Sequence, residues 1–195
     1  ISKNHLQKFP NYCILKTEKP KRFGFEKNTR LIKENQPIQE DQEMPLVTST
    51  KMLADAQKGH YAVGAFNVEN MEMVKAVIAA AEEIKAPVMM QTTPSTVKYG
   101  TLETFAAIVK AEAAKTDIPV CLHLDHGSSF ELAVQAINAG YTSVMIDGSG
   151  LPFEENVAVT KKVVDVAKAV GIPVEAELGK VGGKEDDLEA EADKY

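Results

Sequence analysis

The chain has 195 residues, of which 44% are hydrophobic and 26% charged, and its net charge is -6 with a pI near 5.3. This composition is typical of a folded globular domain and excludes a disordered chain. The acidic balance argues against a nucleic-acid partner, which attracts basic surfaces. No apolar run approaches the ~20 residues of a membrane span, and no apolar stretch at the N-terminus resembles a signal peptide. We therefore expect a cytoplasmic protein, with Cys13 and Cys121 as free thiols because they lack metal or redox spacing.

Residues 1–43 differ in composition from the rest of the chain. They are rich in Lys, Asn, Gln and Glu and show no sustained helical or strand periodicity. Such a segment buries too little apolar surface to offset the entropy lost on ordering. We interpret 1–43 as a poorly ordered leader or tail, and 44–195 as the folded part, beginning near Met44.

From residue 49 onward, apolar strands alternate with amphipathic helices. The predicted helices are 49–58, 71–83, 102–114, 129–138 and 154–169. The predicted strands are 62–66, 87–91, 120–124, 143–146 and 173–178. Asn70 is a plausible N-cap, Ser128 and Glu131 have capping-box spacing, and Gly59 and Gly140 are suited to end helices.

Five short apolar strands that alternate with helices indicate a parallel sheet buried on both faces, either doubly wound or closed into a (β/α)8 barrel. A dinucleotide-binding doubly wound sheet predicts a Gly-rich turn after the first strand, where this chain reads GAFNVEN. One polar residue stands at the C-terminal end of each strand: Asn67, Thr92, Asp125, Asp147 and Glu177. In a barrel these ends converge on one catalytic mouth, so we predict an α/β fold of the TIM-barrel type with about the first five βα units present.

The string PVCLHLDHG, 119–127, is the most specific local pattern. His123 and Asp125 share one face of the strand because side chains alternate, and His126 is expected to point to the other side from Asp125. Imidazole is a good zinc ligand and an adjacent carboxylate can carry a proton. By itself, however, the string is equally consistent with an ordinary polar strand end.

A second string, VEAELGKVGGKE, covers 174–185. It places Glu175 and Glu177 on one side of a strand otherwise suited to burial, where carboxylates require a partner or a metal. Its glycines then permit a tightly turning, mobile loop, 179–195, that carries Glu185. The alternative for this loop is a solvated acidic connector.

Together the two strings resemble the signatures of the class II fructose-bisphosphate aldolase family, including its tagatose-bisphosphate relatives. The resemblance runs from about Met44 to Tyr195 and includes AFNVEN, the PVMMQTT strand and the MIDGS strand end. It implies a zinc-dependent enzyme that cleaves a ketose 1,6-bisphosphate, fructose bisphosphate first, to dihydroxyacetone phosphate and glyceraldehyde 3-phosphate. It also implies a phosphorylated sugar as partner and a homo-oligomer.

The resemblance further assigns metal ligands. His126 would bind zinc, while Asp147 and Glu177 would serve an alternative position or a second divalent or monovalent cation. His123 is expected to support the site or the core. Two further His ligands and the phosphate-binding loops of the family come from later strands, so we expect this chain alone to be inactive.

The same resemblance assigns the proton transfers and substrate contacts. Asp125 would exchange a proton with the aldehyde oxygen, and Glu185 would move the proton at the carbon that becomes nucleophilic. Asn67 and Thr93 would help to hold the substrate, although relatives often have Ser at the position of Thr93.

The alternative aldolase chemistry forms a Schiff base with a Lys on a barrel strand. The five predicted strands contain no Lys, and Lys180 follows the last of them, so the metal route fits better. Two further alternatives stay open: a tagatose-bisphosphate aldolase and a catalytically inert truncated barrel.

Overall fold

The computed structural model describes residues 46–179 and the backbone of two short strands, Gly183–Glu185 and Leu188–Ala190. The predicted leader, 1–43, and Cys13 lie outside the described residues. The helices are α1 Ser49–Gly59, α2 Met71–Ile84, α3 Pro94–Gly100, α4 Leu102–Ala113, α5 Phe130–Ala139 and α6 Phe153–Ala169. The strands are β1 Gly64–Asn67, β2 Val88–Thr92, β3 Val120–Leu124, β4 Ser143–Ile146, β5 Val174–Ala176, β6 Gly183–Glu185 and β7 Leu188–Ala190.

Strands β1 to β5 form one parallel sheet in the order β1-β2-β3-β4-β5. Each strand is paired with its predecessor in the chain, and the order never reverses. A doubly wound sheet has a reversal, at which its ligands bind. The five described strands show no such reversal, and their consecutive order is consistent with a (β/α)8 barrel.

The two faces of the sheet have different coverings. One face packs against α2, α4, α5 and α6, and each of the first three of these helices also contacts the next one in this series. The buried residues of this helix-covered face come from alternate strand positions: Val88, Met90, Val120, Leu122, Leu124, Val144 and Ile146. The other face, which we call the inner face, carries Met89 and Cys121, and these pack with Met52 of α1.

The central strands are buried and the edge strands are not. All residues of β3 and β4 are buried, whereas those of β1 and two of the three in β5 are exposed. The prediction of five strands buried on both faces is therefore wrong for β1 and β5, because each has a strand neighbour on one side only. Phe66 of β1 and Leu178 beyond β5 are consequently exposed apolar side chains.

Most predicted elements are present, with shifted ends. Asn70 caps α2 as predicted, and its side chain accepts a hydrogen bond from the backbone N–H of Met73. The predicted capping box is wrong, because Ser129 rather than Ser128 caps α5. The sequence did not predict α3, for which Thr93 is the N-cap.

Two physical features of the described residues bear on localisation and redox chemistry. None of the helices within 46–179 is long and apolar enough to cross a membrane. Cys121 is a free, buried thiol, and burial raises its pKa to about 11, so it stays protonated at neutral pH. This confirms the expectation of a free thiol for Cys121.

Candidate functional site

The polar residues predicted at the strand ends are in the predicted places. Asn67 and Thr92 are the last residues of β1 and β2, while Asp125, Asp147 and Glu177 directly follow β3, β4 and β5. All five lie at the same edge of the sheet because its strands are parallel. His126, Asp147 and Glu177, which follow β3, β4 and β5, come together, whereas the Thr92 hydroxyl at the end of β2 lies against that of Tyr141.

His126, Asp147 and Glu177 form a cluster of possible metal ligands. The Nδ1 atom of His126 lies 3.0 Å from Oδ2 of Asp147 and 3.8 Å from Oε2 of Glu177. One ligand atom from each residue lies within 4.8 Å of the other two. All three side chains are less than one-fifth exposed. The cluster can therefore surround one ion from three neighbouring strand ends.

The backbone of His126 explains how its ring reaches the cluster. Its φ is 46°, in the left-handed region that non-glycine residues seldom adopt. The ring lies beside Asp147, and the predicted opposite orientation of the Asp125 and His126 side chains stays a prediction. A strained backbone at a polar cluster is a frequent property of functional sites.

Gly127 permits a close approach between the ends of β3 and β4. Its carbonyl accepts a hydrogen bond of 2.9 Å from the N–H of Asp147. A Cβ on Gly127 would lie 2.2 Å from the carbonyl oxygen of Met145, so no other residue fits without a shift of the backbone. This contact fixes His126 and Asp147 side by side.

Asp147 is held in its ionised form. Burial opposes its ionisation, but hydrogen bonds from Ser149 and His126 outweigh that effect and lower its pKa from the ordinary value. Its Oδ1 atom accepts a hydrogen bond of 2.9 Å from the N–H of Ser149. An ionised carboxylate is an acceptor only, so in the absence of a cation Nδ1 of His126 donates to Asp147.

Asp125 lies next to this cluster. Its backbone N–H donates to the carbonyl of Thr92 at 3.0 Å, which continues the pairing of β2 with β3 beyond the strand end. Its side chain is partly buried. Partial burial and then the neighbouring Asp125 carboxylate raise the pKa of Glu175. Asp125 and Glu175 therefore influence each other electrostatically, as expected for side chains on one face.

His123 supports the inner face beneath the site. Its ring is 1% exposed; Nδ1 lies 2.8 Å from the hydroxyl of Ser143, and Nε2 lies 3.5 Å from Oε2 of Glu175. Burial, with a smaller contribution from His126, lowers its pKa to about 4, so the ring is neutral at pH 7. Among the described residues, the metal cluster does not include His123, and its supporting role stays a prediction. Glu175, in contrast, has a side chain that is 60% exposed, because β5 is an edge strand.

Three predicted polar residues are separate from the cluster. Thr92 belongs to the helix-covered face, where its hydroxyl lies 2.8 Å from that of the buried Tyr141. The Thr93 hydroxyl accepts from the backbone N–H of Thr96 at 3.4 Å and thereby caps α3. Asn67 is exposed at the β1 edge. Substrate contacts by Asn67 and Thr93 stay predictions.

The loop 179–195 is described only in part. Its strands β6 and β7 pair antiparallel, with Glu185 opposite Leu188, within the segment predicted to be a tightly turning, mobile loop. Lys184 thus lies within a strand, but outside the five-stranded sheet. The side chain of Glu185 lies outside the described residues.

The sequence interpretation missed two side chains that contact the site. Asn156 of α6 donates from Nδ2 to the carbonyl of Glu177 at 2.8 Å. Ser143 at the start of β4 contacts His123, and its hydroxyl lies 3.1 Å from that of Ser49. The sequence did contain a signal that Asn156 is buried. It lies seven and eleven residues before the apolar positions Val163 and Ala167, which places it on the buried face of α6.

The donor set of the cluster fits zinc. Zinc binds imidazole nitrogen and carboxylate oxygen, and His126, Asp147 and Glu177 supply one imidazole and two carboxylates. Because its pKa is lowered, the carboxyl of Asp147 is already ionised at neutral pH. A cation can therefore bind to the three donors without first displacing a proton from that carboxyl.

The comparisons with known proteins agree on one family. Residues 47–195 match the family model described as "Fructose-bisphosphate aldolase class-II". A Bacillus subtilis (strain 168) relative is 54% identical over 155 residues, which are 78% of this chain and 54% of that protein. A Staphylococcus aureus (strain Mu50) relative named "Fructose-bisphosphate aldolase" is 50% identical over 157 residues, again 78% of this chain and 54% of that protein. The chain spans about half the length of the curated relatives it matches.

The fold comparison agrees. The crystal structure of the YdjI aldolase from Escherichia coli K12 superposes with a TM-score of 0.66 at 42% identity, covering 69% of this chain and 52% of that one. The parallel sheet and its covering helices are thus shared with an aldolase of known structure.

Proposed function

We propose, from the premise that this chain belongs to the class II fructose-bisphosphate aldolase family, that the protein catalyses a reversible, zinc-dependent aldol cleavage. The substrate is a ketose 1,6-bisphosphate, with fructose bisphosphate the first choice. The products are dihydroxyacetone phosphate and glyceraldehyde 3-phosphate. We further propose a cytoplasmic, homo-oligomeric enzyme.

The fold supports the proposal through its strand order. Five consecutive parallel strands with helices on one face correspond to the first five units of a (β/α)8 barrel. We propose that the inner face defined above is the barrel interior. Helix α1 packs against the amino-terminal half of that face, which leaves the carboxyl ends of the strands as the catalytic end.

The cluster of His126, Asp147 and Glu177 is the observation that carries the proposal. His126 would hold zinc, while Asp147 and Glu177 would provide the alternative position or hold a second cation. When bound, zinc supplies Lewis-acid stabilisation of the negative charge that develops on the ketone oxygen. The protein's own contribution is to hold three donors from adjacent strand ends in one place and to lower the pKa of Asp147.

Asp125 and Glu185 would transfer the protons. Asp125 is partly buried beside the cluster and is close enough to Glu175 for its carboxylate to raise the pKa of Glu175. Asp125 would exchange a proton with the aldehyde oxygen as the carbon–carbon bond breaks or forms. Glu185, carried by β6, would move the proton at the nucleophilic carbon.

The substrate contacts proposed for Asn67 and Thr93 differ in what supports them. Asn67 is exposed at the same edge of the sheet as the cluster, so its amide is accessible to a ligand. The hydroxyl of Thr93 already caps α3, and a substrate oxygen would have to share it. Asn67 is therefore the better supported of the two.

The direct test is an assay of the purified full-length gene product with fructose 1,6-bisphosphate and, in parallel, tagatose 1,6-bisphosphate. We expect cleavage that is lost in chelator and restored by zinc or cobalt. Borohydride with substrate should trap no covalent adduct, and a trapped lysine adduct would exclude the metal mechanism. Faster cleavage of the tagatose substrate would reassign the substrate but not the chemistry. Absence of cleavage of either sugar with metal bound would indicate an inert barrel.

A further inference from the structure

Asn156 connects the two strand ends that carry the carboxylates of the cluster. It lies in the first turns of α6 and is 6% exposed. Its Nδ2 donates to the backbone carbonyl of Glu177 at 2.8 Å, and its Oδ1 accepts from the hydroxyl of Thr160 at 3.2 Å. Both ends of the amide therefore have partners within a buried environment.

The same side chain lies against the end of β4. A Cβ on Gly148, the residue after Asp147, would be 2.3 Å from Oδ1 of Asn156 and 2.7 Å from its Cγ. The amide thus fills the space that a side chain at 148 would occupy. Only glycine at this position lets α6 and the Asp147 strand end approach so closely.

The strand pairing of β5 stops at the end of that strand. Its last paired residue is Ala176, so Glu177 lies just beyond the ladder, and two of the three β5 residues are exposed. The Asn156 bond uses the backbone carbonyl of Glu177 and leaves its carboxylate oxygens for the cluster. A polar side chain on the buried face of a helix is unfavourable unless it is hydrogen-bonded. Here the hydrogen bond is made to the backbone of Glu177, a residue of the cluster.

We infer that Asn156 is a positioning residue, which sets the separation of the Asp147 and Glu177 carboxylates and thereby the affinity of the cluster for a divalent cation. It touches neither the cation nor the substrate. This inference rests on the proposed metal site, and it adds a residue of α6 to the groups that determine its affinity.

The test is a titration of the protein with Co²⁺, followed by visible absorption, for the wild type, Asn156→Ala and Asn156→Asp. The Asp variant keeps the volume and the acceptor for Thr160, but its carboxylate has no N–H to donate to Glu177. Loss of an outer partner of a metal site typically weakens binding about 10- to 100-fold, and we expect this for both variants. Gly148→Ala should also weaken binding, because its Cβ displaces the Asn156 amide.

Two control variants separate positioning from general stability. Thr160→Val removes the other hydrogen bond of Asn156 and keeps the bond to Glu177. Val163→Ala removes two buried methyl groups from the same face of α6. Both should lower Tm and leave Co²⁺ affinity unchanged.

The outcomes are distinguishable. If the wild type does not bind Co²⁺ through His126, as judged by His126→Ala, the proposed metal site fails. If the wild type binds and both Asn156 variants bind equally well, the inference is overturned. It is also overturned if Val163→Ala weakens binding as much as Asn156→Ala at equal loss of Tm. Where Asn156→Ala does not fold, Asn156→Asp decides.

Discussion

The Nδ1 atom of His126 lies 3.0 Å from Oδ2 of Asp147, across the ends of two neighbouring strands. The contact exists because His126 has a left-handed backbone and because Gly127 lets β3 and β4 approach. The contact brings a ring nitrogen and a carboxylate oxygen together at the cluster of possible metal ligands.

Asp147→Asn tests this relationship. The substitution keeps the shape and an acceptor oxygen but removes the charge, so we expect cation affinity to fall about 10- to 100-fold. Calorimetric titration with zinc measures it. Asp165→Asn, which removes an exposed carboxylate paired with Lys161 in α6, is the matched control and should bind like the wild type. Equal affinities for the two variants would exclude Asp147 from the site.

Asp125 and His126 should differ although they are adjacent. Asp125→Ala in the full-length gene product should retain metal and lose turnover by roughly two to four powers of ten, the usual contribution of one acid–base group. His126→Ala should lose the metal as well. Metal content by elemental analysis, together with kcat, separates the two roles. A normal rate in Asp125→Ala would refute its assignment.

His123 should make the protein sensitive to acid. Its folded pKa, about 4, lies below the unfolded value of 6.5, so the unfolded state binds the proton first as pH falls. This contribution is fully present above pH 6.5 and is lost between there and pH 4, with a magnitude on the order of 3 kcal/mol. Glu175 and His126 are the titratable groups that face the ring.

The measurement is the free energy of unfolding by urea at several pH values between 4 and 7.5. His123→Gln should flatten the dependence. His60→Asn changes an exposed histidine with a left-handed backbone that Asn tolerates, so it should keep the wild-type profile. An unchanged slope in His123→Gln would show that other groups cause the acid sensitivity.

Thr92 and Tyr141 should behave as a coupled buried pair. Their hydroxyls lie 2.8 Å apart in the helix-covered core, and Tyr141 is 1% exposed. Tyr141→Phe or Thr92→Val alone leaves one buried hydroxyl without its partner and should cost about 1–3 kcal/mol. The double variant should cost less than the sum of the two. Additive costs in thermal unfolding would mean that the hydrogen bond contributes nothing.

Glu185 should affect chemistry more than binding. Glu185 is carried by β6 and is proposed to transfer a proton. Glu185→Gln should therefore depress both proton exchange at the substrate carbon and turnover, with little change in ground-state binding. Exchange of deuterium from solvent into dihydroxyacetone phosphate reports the first step alone. Survival of both exchange and turnover would identify the segment as an acidic connector.

Local sequence patterns were sufficient to predict the fold class and the edge of the sheet that carries the candidate site. Alternating apolar strands and amphipathic helices predicted the parallel α/β fold, and the polar residue after each strand predicted which edge of the sheet carries the site. These signals are local, since they depend on periodicity and on strand direction. The strings around Asp125 and Glu177 also supplied the family resemblance.

Tertiary structure decided which of those residues meet. Thr92 ends a strand like the others, yet its hydroxyl pairs with that of Tyr141 on the helix-covered face. Side chains alternate between the two faces along β2, and the position of Thr92 is one that points to the helix-covered face. His126 joins Asp147 only through a left-handed backbone that alternation does not predict. Asn156 is distant in sequence from Asp147 and Glu177, and only the packing of α6 on β4 and β5 brings its amide between them. Such contacts depend on how elements pack, which no local pattern encodes.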